Sequence, residues 1–313
     1  MCGIISVRVG AKVNLSLDVK QKRSDGYHGI SSIFHSLALS DMLTIKKATK
    51  KSLATNNPLV PSDDNNLVLK ALRQLELYTD TVLNCAFTLQ KEIPLAAGLG
   101  GGSADAAGAL LLANKLFELN LSPEELRLIA LKVGADVPFM LTGGAALVEG
   151  IGEKITPLMA APKWGILLIK PPFGIKTAEA YKLLDRSQLE HFDEKDIIKA
   201  LKVKDYRKLG LSLGNSFTLP LIRECPSLNL IISTLKEIGL KQVSLSGSGP
   251  TIFALTEDQN TARVLTEKLS KKLPNWYYPE NHGQSDLILK GKDIKPWLYF
   301  TQLSKEGWQL NKE

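Results

Sequence analysis

The chain is poor in the residues that build metal centres and disulfide scaffolds. Its 313 residues include three cysteines and four histidines. Cys2, Cys85 and Cys225 form neither a Cys-x-x-Cys pair nor an even framework, which excludes a zinc ribbon or a disulfide-stapled domain and fits a reducing compartment. Long apolar runs are also missing, since none approaches the roughly 20 residues that span a bilayer. Residues Met1 to Arg8 carry neither a secretory signal nor a transit segment, so a cytoplasmic protein without a membrane partner is expected. Aromatics make up 6% of the residues and are not interleaved with a basic stripe, which argues against a nucleic-acid partner. The net charge of +7 would still suit a phosphorylated small molecule. Oligomeric state is not legible.

What is present is enough apolar sequence, 44%, and enough length for two packed domains. Residues 12 to 19 alternate strictly, with Lys12, Asn14, Ser16 and Asp18 on one face and Val13, Leu15, Leu17 and Val19 on the other, the pattern of a half-buried strand. A helix is expected over 66 to 78 after a cap at Asn65, then a strand over 81 to 92, then an alanine- and leucine-rich helix over 103 to 118. Ser122-Pro-Glu-Glu125 is a capping box with proline at the first helical position. That helix runs through Leu126, Ile129, Ala130 and Val133 to Gly134, and its end delivers Asp136 into a turn. The pattern resets near residue 160, where the connector Ala160 to Lys163 precedes a buried strand, Trp164 to Ile169. We therefore divide the chain into 1–160 and 161–313. The second part should hold helices at 177–185, 194–202, 227–238 and 260–272 and strands at 241–246, 251–256 and 275–278, the order of a split βαβ sandwich. Residues after about 278 receive no role.

One stretch concentrates glycine. In Pro94-Leu-Ala-Ala-Gly-Leu-Gly-Gly-Gly-Ser103 the glycines let backbone approach a ligand, and the following helix presents free N–H groups and the positive end of its dipole. Together they make an anion site. No Lys-Ser or Lys-Thr follows, so the stretch is not a Walker A loop, and no clean βαβ with a closing acidic residue marks it as a dinucleotide fingerprint.

Five ordered motifs resemble those of the GHMP kinases: Ala11-Lys-Val-Asn-Leu15, Arg23-Ser-Asp-Gly-Tyr-His28, the loop from Pro94 to Ser103, Gly134-Ala-Asp-Val-Pro138 and Ser244-Leu-Ser-Gly-Ser-Gly-Pro250. The resemblance spans roughly residues 6 to 278. It implies an α+β, two-domain fold, with an N-terminal α/β domain like domain 2 of ribosomal protein S5, which binds ATP, and a C-terminal ferredoxin-like sandwich. It also implies an ATP- and magnesium-dependent small-molecule kinase. Within the superfamily the nearest branch phosphorylates a hydroxyl of a cytidine diphosphate-linked methylerythritol.

By that resemblance Asp136 is the general base and Lys12 stabilises its carboxylate and the developing charge. Pro94, Ala96, Gly98, Leu99, Gly100, Gly101, Gly102 and Ser103 would hold the ATP phosphates, Ser103 through magnesium or simply as a helix cap. Asn66 would contact adenine or cap its own helix. Asp105 is read as complementing the helix dipole rather than binding metal. Asn14 would lie near the acceptor, Tyr27 would stack on cytosine and His28 would bond its edge. Tyr181 either closes that stack or belongs to the core of its helix, and Thr177 would touch the ligand. Gly247, Ser248 and Gly249 would close the site around the substrate phosphates. Ala96-Ala97 stands where glycine is common, Ala104 replaces a frequent serine, and Asn215-Ser-Phe-Thr218 lacks expected acidic residues. The competing readings are another kinase of the superfamily, acting on homoserine, mevalonate or a sugar, and a nucleotide-binding regulator without chemistry.

Overall fold

The computed structural model describes residues 3–185, 190–272, 288–289 and 296–311. In chain order the first elements are β1 (Ile5–Lys22), β2 (His28–Lys47), β3 (Ser52–Thr55), α1 (Leu67–Thr79), β4 (Cys85–Gln90), α2 (Gly101–Leu116), α3 (Pro123–Val133), α4 (Val137–Thr142), β5 (Ala145–Gly150) and β6 (Lys154–Leu158). There follow β7 (Gly165–Lys170), β8 (Gly174–Ile175), α5 (Thr177–Leu184), α6 (Lys195–Val203), α7 (Tyr206–Leu211), β9 (Gly214–Asn215), α8 (Thr218–Glu224), α9 (Pro226–Glu237), β10 (Val243–Leu245), β11 (Ile252–Thr256), α10 (Gln259–Lys272), β12 (Ile288–Leu289), β13 (Trp297–Gln302) and β14 (Trp308–Leu310).

Two sheets organise the molecule. The first runs β14-β1-β2-β4-β3, with β5 on β2, β6 on β5 and β9 on β1. The second runs β10-β11-β7-β13, all antiparallel. Helices α1 to α4 cover the first sheet around one core that includes Phe87, Leu110 and Phe139. Helix α2 carries almost no polar stripe, because its alanines pack it on several sides at once. No helix among the described residues is long and apolar enough to cross a membrane.

Several local expectations match. The capping box at Ser122 forms with both reciprocal bonds, and Leu126, Ile129, Ala130 and Val133 are its buried stripe. Others need correction. The cap of α1 is Asn66, whose side chain accepts from Val68 N, not Asn65. Helix α2 begins at Gly101, so Ser103 is its third residue and Asp105 lies beyond the first turn. The short α7 and α8 carry too little periodicity to be read from sequence. The strand expected at 275–278 lies outside the described residues, and an aromatic edge strand of the second sheet comes instead from β13.

The C-terminal segment also returns to the first sheet. Strand β14 pairs with β1, and Trp308 Nε1 donates to Leu141 O at the end of α4 (2.9 Å). With β9 also on β1, residues 161–313 do not all remain within the second sheet's half.

The largest misreading concerns the polar face of β1. Lys12, Asn14, Ser16 and Asp18 are not solvated but buried, each at most 3% exposed. The reason is tertiary, since β9 pairs along the edge of β1 and the turn after β10 reaches over to Asn14. Ser216 Oγ accepts from Val19 N (3.0 Å), and Gly247 N donates to Asn14 Oδ1 (2.8 Å).

His35 is fully buried nearby, with Nδ1 against Ser36 O (2.9 Å) and Nε2 accepting from Ala161 N (3.0 Å). Burial lowers its pKa from 6.5 to about 4. Between those values the unfolded ring binds a proton and the folded ring does not, so stability falls as pH drops through that window, by about 3 kcal/mol in all. Proton NMR of the folded protein at pH 5.5 should show His35 still neutral; a charged ring there would overturn the assignment.

Candidate active site

The floor of the site is the middle of β1. Alternation places Lys12 and Asn14 on one face, and Lys12 Nζ donates to Asn14 Oδ1 (2.8 Å) while lying 4.6 Å from the centroid of the Phe34 ring. The same ammonium is 3.5 Å from Asp136 Oδ2. A buried lysine is tolerated here because a carboxylate, an amide oxygen and an aromatic face surround it. Lys12 N also donates to Leu99 O (3.0 Å), which ties the glycine loop to the strand.

Asp136 follows the end of α3 and occupies the capping position of α4, yet its side chain makes no cap hydrogen bond. An aspartate at a helix start ordinarily spends its carboxylate on the first amides. This one faces Lys12 and the cavity instead. Its charge also helps to hold the Tyr181 hydroxyl protonated: burial first, and Asp136 second, push that hydroxyl up to about 12.

The glycine loop forms the adjoining wall. Gly100 caps α2 with φ 70° and offers no side chain, and the first backbone bond of the helix is Ala104 N to Gly100 O. The N–H groups of Gly101, Gly102 and Ser103 are therefore free of the helix and sit at its positive end. Among the described residues Ser103 Oγ also has no hydrogen bond. Pro94, Ala96, Gly98, Leu99, Gly100, Gly101, Gly102 and Ser103 all line a cavity of ≈ 490 Å³, together with Lys12, Asn14, Asp136, Thr177, Tyr181, Gly247 and Ser248. Gly249 does not line it, and Asn66 does not either. Asn66 is committed locally, with Oδ1 on Val68 N (2.8 Å) and Nδ2 on Pro61 O (2.7 Å), so its capping role is the one the geometry supports.

A second cavity, ≈ 630 Å³, is lined by Tyr27, His28, Thr177, Tyr181, Ser103 and Asp136, among others. The two share Ile30, Ser103, Asp136, Thr177 and Tyr181. They are two ends of one cleft, and the candidate base and the loop serine stand at the junction. Tyr181 stacks on His28 (5.2 Å between centroids) and meets Phe217 edge-on (5.0 Å). Its ring is thus both a packed wall and a border of the cleft. Tyr27 is 65% exposed, a free aromatic face at the mouth. Thr177 Oγ1 and Ser248 Oγ are 3.0 Å apart, joining α5 to the second glycine turn.

Ala96 sits at φ 47°, which explains why glycine is common at this point of the loop. An alanine held there costs about 1 kcal/mol, so Ala96→Gly should raise the unfolding free energy by about that amount in a denaturant titration.

Sequence reasoning missed what holds the loops. Asp41 Oδ1 accepts from Glu92 N (2.6 Å) and Ile93 N (2.9 Å), and Lys91 Nζ bridges Asp41 to Asp105 Oδ2, 2.8 Å from the latter. Asp105 therefore does not serve the helix dipole. It anchors the strand that enters the loop to the helix that leaves it, and burial pushes its carboxyl above the ordinary carboxylate range against the opposing pull of Lys91. A lone Asp41 inside an apolar strand was the available signal, because a buried carboxylate requires a partner. The Asn215 stretch is also explained. Asn215 Nδ2 donates to Leu245 O (2.8 Å) and Gly247 O (2.9 Å), and Oδ1 accepts from Phe217 N (2.9 Å), so a neutral amide carries the second glycine turn.

Comparison with known proteins agrees with this geometry. The family described as GHMP kinases N terminal domain matches residues 66–144, and the one described as GHMP kinases C terminal matches residues 197–275. The 4-diphosphocytidyl-2-C-methyl-D-erythritol kinase of Carboxydothermus hydrogenoformans is 41% identical over 262 residues, covering 83% of this chain and 91% of that protein. Its counterpart in Exiguobacterium sibiricum is 40% identical over 266 residues, covering 83% and 92%. A crystal structure of 4-(cytidine 5'-diphospho)-2C-methyl-D-erythritol kinase superposes with a TM-score of 0.74 at 28% identity, covering 95% of this chain and 98% of that one. Homoserine kinase from Cytophaga hutchinsonii superposes with a TM-score of 0.75, covering 99% and 98%, but at 19% identity the likeness is one of fold.

Proposed function

This chain belongs to the GHMP kinases, and from that premise we propose that it transfers the γ-phosphoryl group of ATP to the 2-hydroxyl of 4-diphosphocytidyl-2-C-methyl-D-erythritol, with Asp136 as the base. The observation that carries the reading is the uncapped carboxylate of Asp136, 3.5 Å from the Lys12 ammonium, at the junction of the two cavities. The product would enter the non-mevalonate route to isoprenoid precursors.

The phosphates of ATP lie against the free N–H groups at the start of α2, where the dipole favours negative charge. The cytidine end of the acceptor occupies the second cavity, between the free face of Tyr27 and the wall of Tyr181. Its hydroxyl then reaches Asp136. As the oxygen bonds to the γ-phosphorus, its proton passes to the Asp136 carboxylate and the bond from phosphorus to the bridging oxygen of ADP breaks. Lys12 offsets the negative charge on the carboxylate and on the phosphoryl oxygens. No nucleophilic side chain is required, so transfer is direct.

Magnesium fits the donor set present. Among the described residues no cluster of three or more metal-binding side chains occurs, and an ion held chiefly by phosphate oxygens needs none. The unpartnered Ser103 hydroxyl is the protein group that would hold it. When bound, the ion neutralises phosphate charge during transfer.

A coupled assay of ADP release tests the reading, comparing the cytidine diphosphate-linked acceptor with homoserine, mevalonate, galactose and no acceptor. Turnover confined to the first supports it. Turnover with another acceptor overturns the substrate, and ADP release with none of them supports a nucleotide-binding regulator.

A further inference from the structure

Asp185 has no place in the motifs that define the site, and its position is unfavourable on local grounds. It is the C-terminal cap of α5, where the helix dipole disfavours a negative charge. Its partners lie across the cleft, on the hairpin of the first sheet. Oδ2 accepts from Lys22 Nζ (2.8 Å), and Oδ1 is 2.9 Å from His28 Nε2. Lys22 and His28 are themselves paired across β1 and β2, so one carboxylate grips both strands at the rim of the second cavity. All three residues line that cavity.

Lys22 first, and then His28, hold the Asp185 carboxyl below its ordinary range. It is therefore a carboxylate and can only accept. Whatever lies opposite it must donate, which places a hydrogen on Nε2 of His28. In the neutral ring the other nitrogen, Nδ1, is then an acceptor. Among the described residues Nδ1 has no partner, and it is not one of the buried unsatisfied atoms, so it is open to the cleft. The ring cannot easily turn, because its face is stacked on Tyr181 and its side chain is only 7% exposed.

We propose that Asp185 is a positioning residue for base selection: by fixing the hydrogen on His28 Nε2, it leaves Nδ1 to accept from the exocyclic amino group of cytosine. This rests on the acceptor assigned above and deepens it. Uracil carries a carbonyl oxygen at the corresponding position, so two acceptors would face each other there and the uracil-linked analogue would be rejected. A site built to bond an N–H discriminates far more strongly than one that only fits a shape. Replacing the carboxylate by an amide lets residue 185 donate to Nε2, which moves the hydrogen to Nδ1 and turns the reading group into a donor.

The experiment compares kcat/KM for the cytidine diphosphate-linked acceptor and for its uracil analogue, prepared by deamination, in the wild-type protein, Asp185→Asn and Asp185→Glu. The wild type should prefer cytosine by about 100-fold or more. Asp185→Asn should reduce that preference to under about 10-fold, mainly through the KM of the cytidine acceptor and with the KM for ATP unchanged, and Asp185→Glu should restore part of it. A merely structural role would lower both acceptors together and leave their ratio intact, and that result overturns the proposal. If the wild type turns over neither acceptor, the assigned reaction fails separately. Thermal-shift titrations with cytidine 5'-diphosphate and uridine 5'-diphosphate then decide the base preference without turnover, an equal response to both in the wild type overturning it.

Discussion

Asp136→Asn is expected to lower kcat by about 10²- to 10⁴-fold while leaving the KM for ATP within a few-fold. The exchange preserves size and the ability to accept a hydrogen bond from the acceptor hydroxyl. It removes the capacity to take the proton. Because the Asp136 side chain is 32% exposed and caps no amide of α4, the variant should fold with an almost unchanged thermal midpoint, so the lost rate reports on chemistry. Lys12 then loses its carboxylate partner but keeps Asn14 Oδ1 and the face of Phe34, which limits the secondary damage. Single-turnover measurement of ADP formation is the decisive readout. A rate within a few-fold of wild type would remove Asp136 as the base and leave orientation alone to account for catalysis.

Gly98→Ala should be damaging for a different reason. Gly98 has φ +74°, and a Cβ built there would stand 2.2 Å from Ser246 O and 2.9 Å from Gly249 O. Those atoms are backbone and cannot swing aside. The two glycine turns already touch, with Ser246 Oγ donating to Gly98 O (2.9 Å), and a methyl group would drive them apart. The displaced turn carries Gly247 N away from Asn14 and Ser248 away from Thr177, opening the junction of the two cavities. We expect a stability loss of about 2 to 4 kcal/mol in a denaturant titration and a fall in kcat/KM of at least about 100-fold. Gly102→Ala is the matched control, because a Cβ there meets only Leu67 Cδ1 at 3.4 Å and alanine favours a helix interior. It should keep the stability of the wild type. Equal stability losses in the two variants would mean that glycine content, rather than the contact between turns, is what the loop requires.

The candidate site motifs are short and local, and for that reason they were legible. The glycine turn of Pro94 to Ser103 precedes a helix, the end of α3 delivers Asp136, and the alternation of β1 puts Lys12 beside Asn14, all within a few residues of chain. Register errors of one or two residues, as at Asn66 and Gly101, arose because adjacent asparagines or glycines satisfy the same local rule and only the realised hydrogen bonds choose between them.

The polar face of β1 shows the limit of such reasoning. Alternation of Lys12, Asn14, Ser16 and Asp18 announces two different faces, and water is the usual occupant of the polar one. Here the occupant is the other half of the molecule, brought there by residues some 200 positions away, such as Ser216 and Gly247. The pairing of Lys91 with Asp41 and Asp105, the support of the second glycine turn by Asn215 and the grip of Asp185 on His28 belong to the same class. Local composition and periodicity determined the strands, the glycine loop and the delivery of Asp136 into the turn after α3, because each depends on a backbone preference or a neighbour within one turn. Tertiary structure alone decided which buried charges meet and which ring nitrogen faces the cleft, because a desolvated charge or an unpaired donor is satisfied by whatever partner the fold brings into contact, at any separation along the chain.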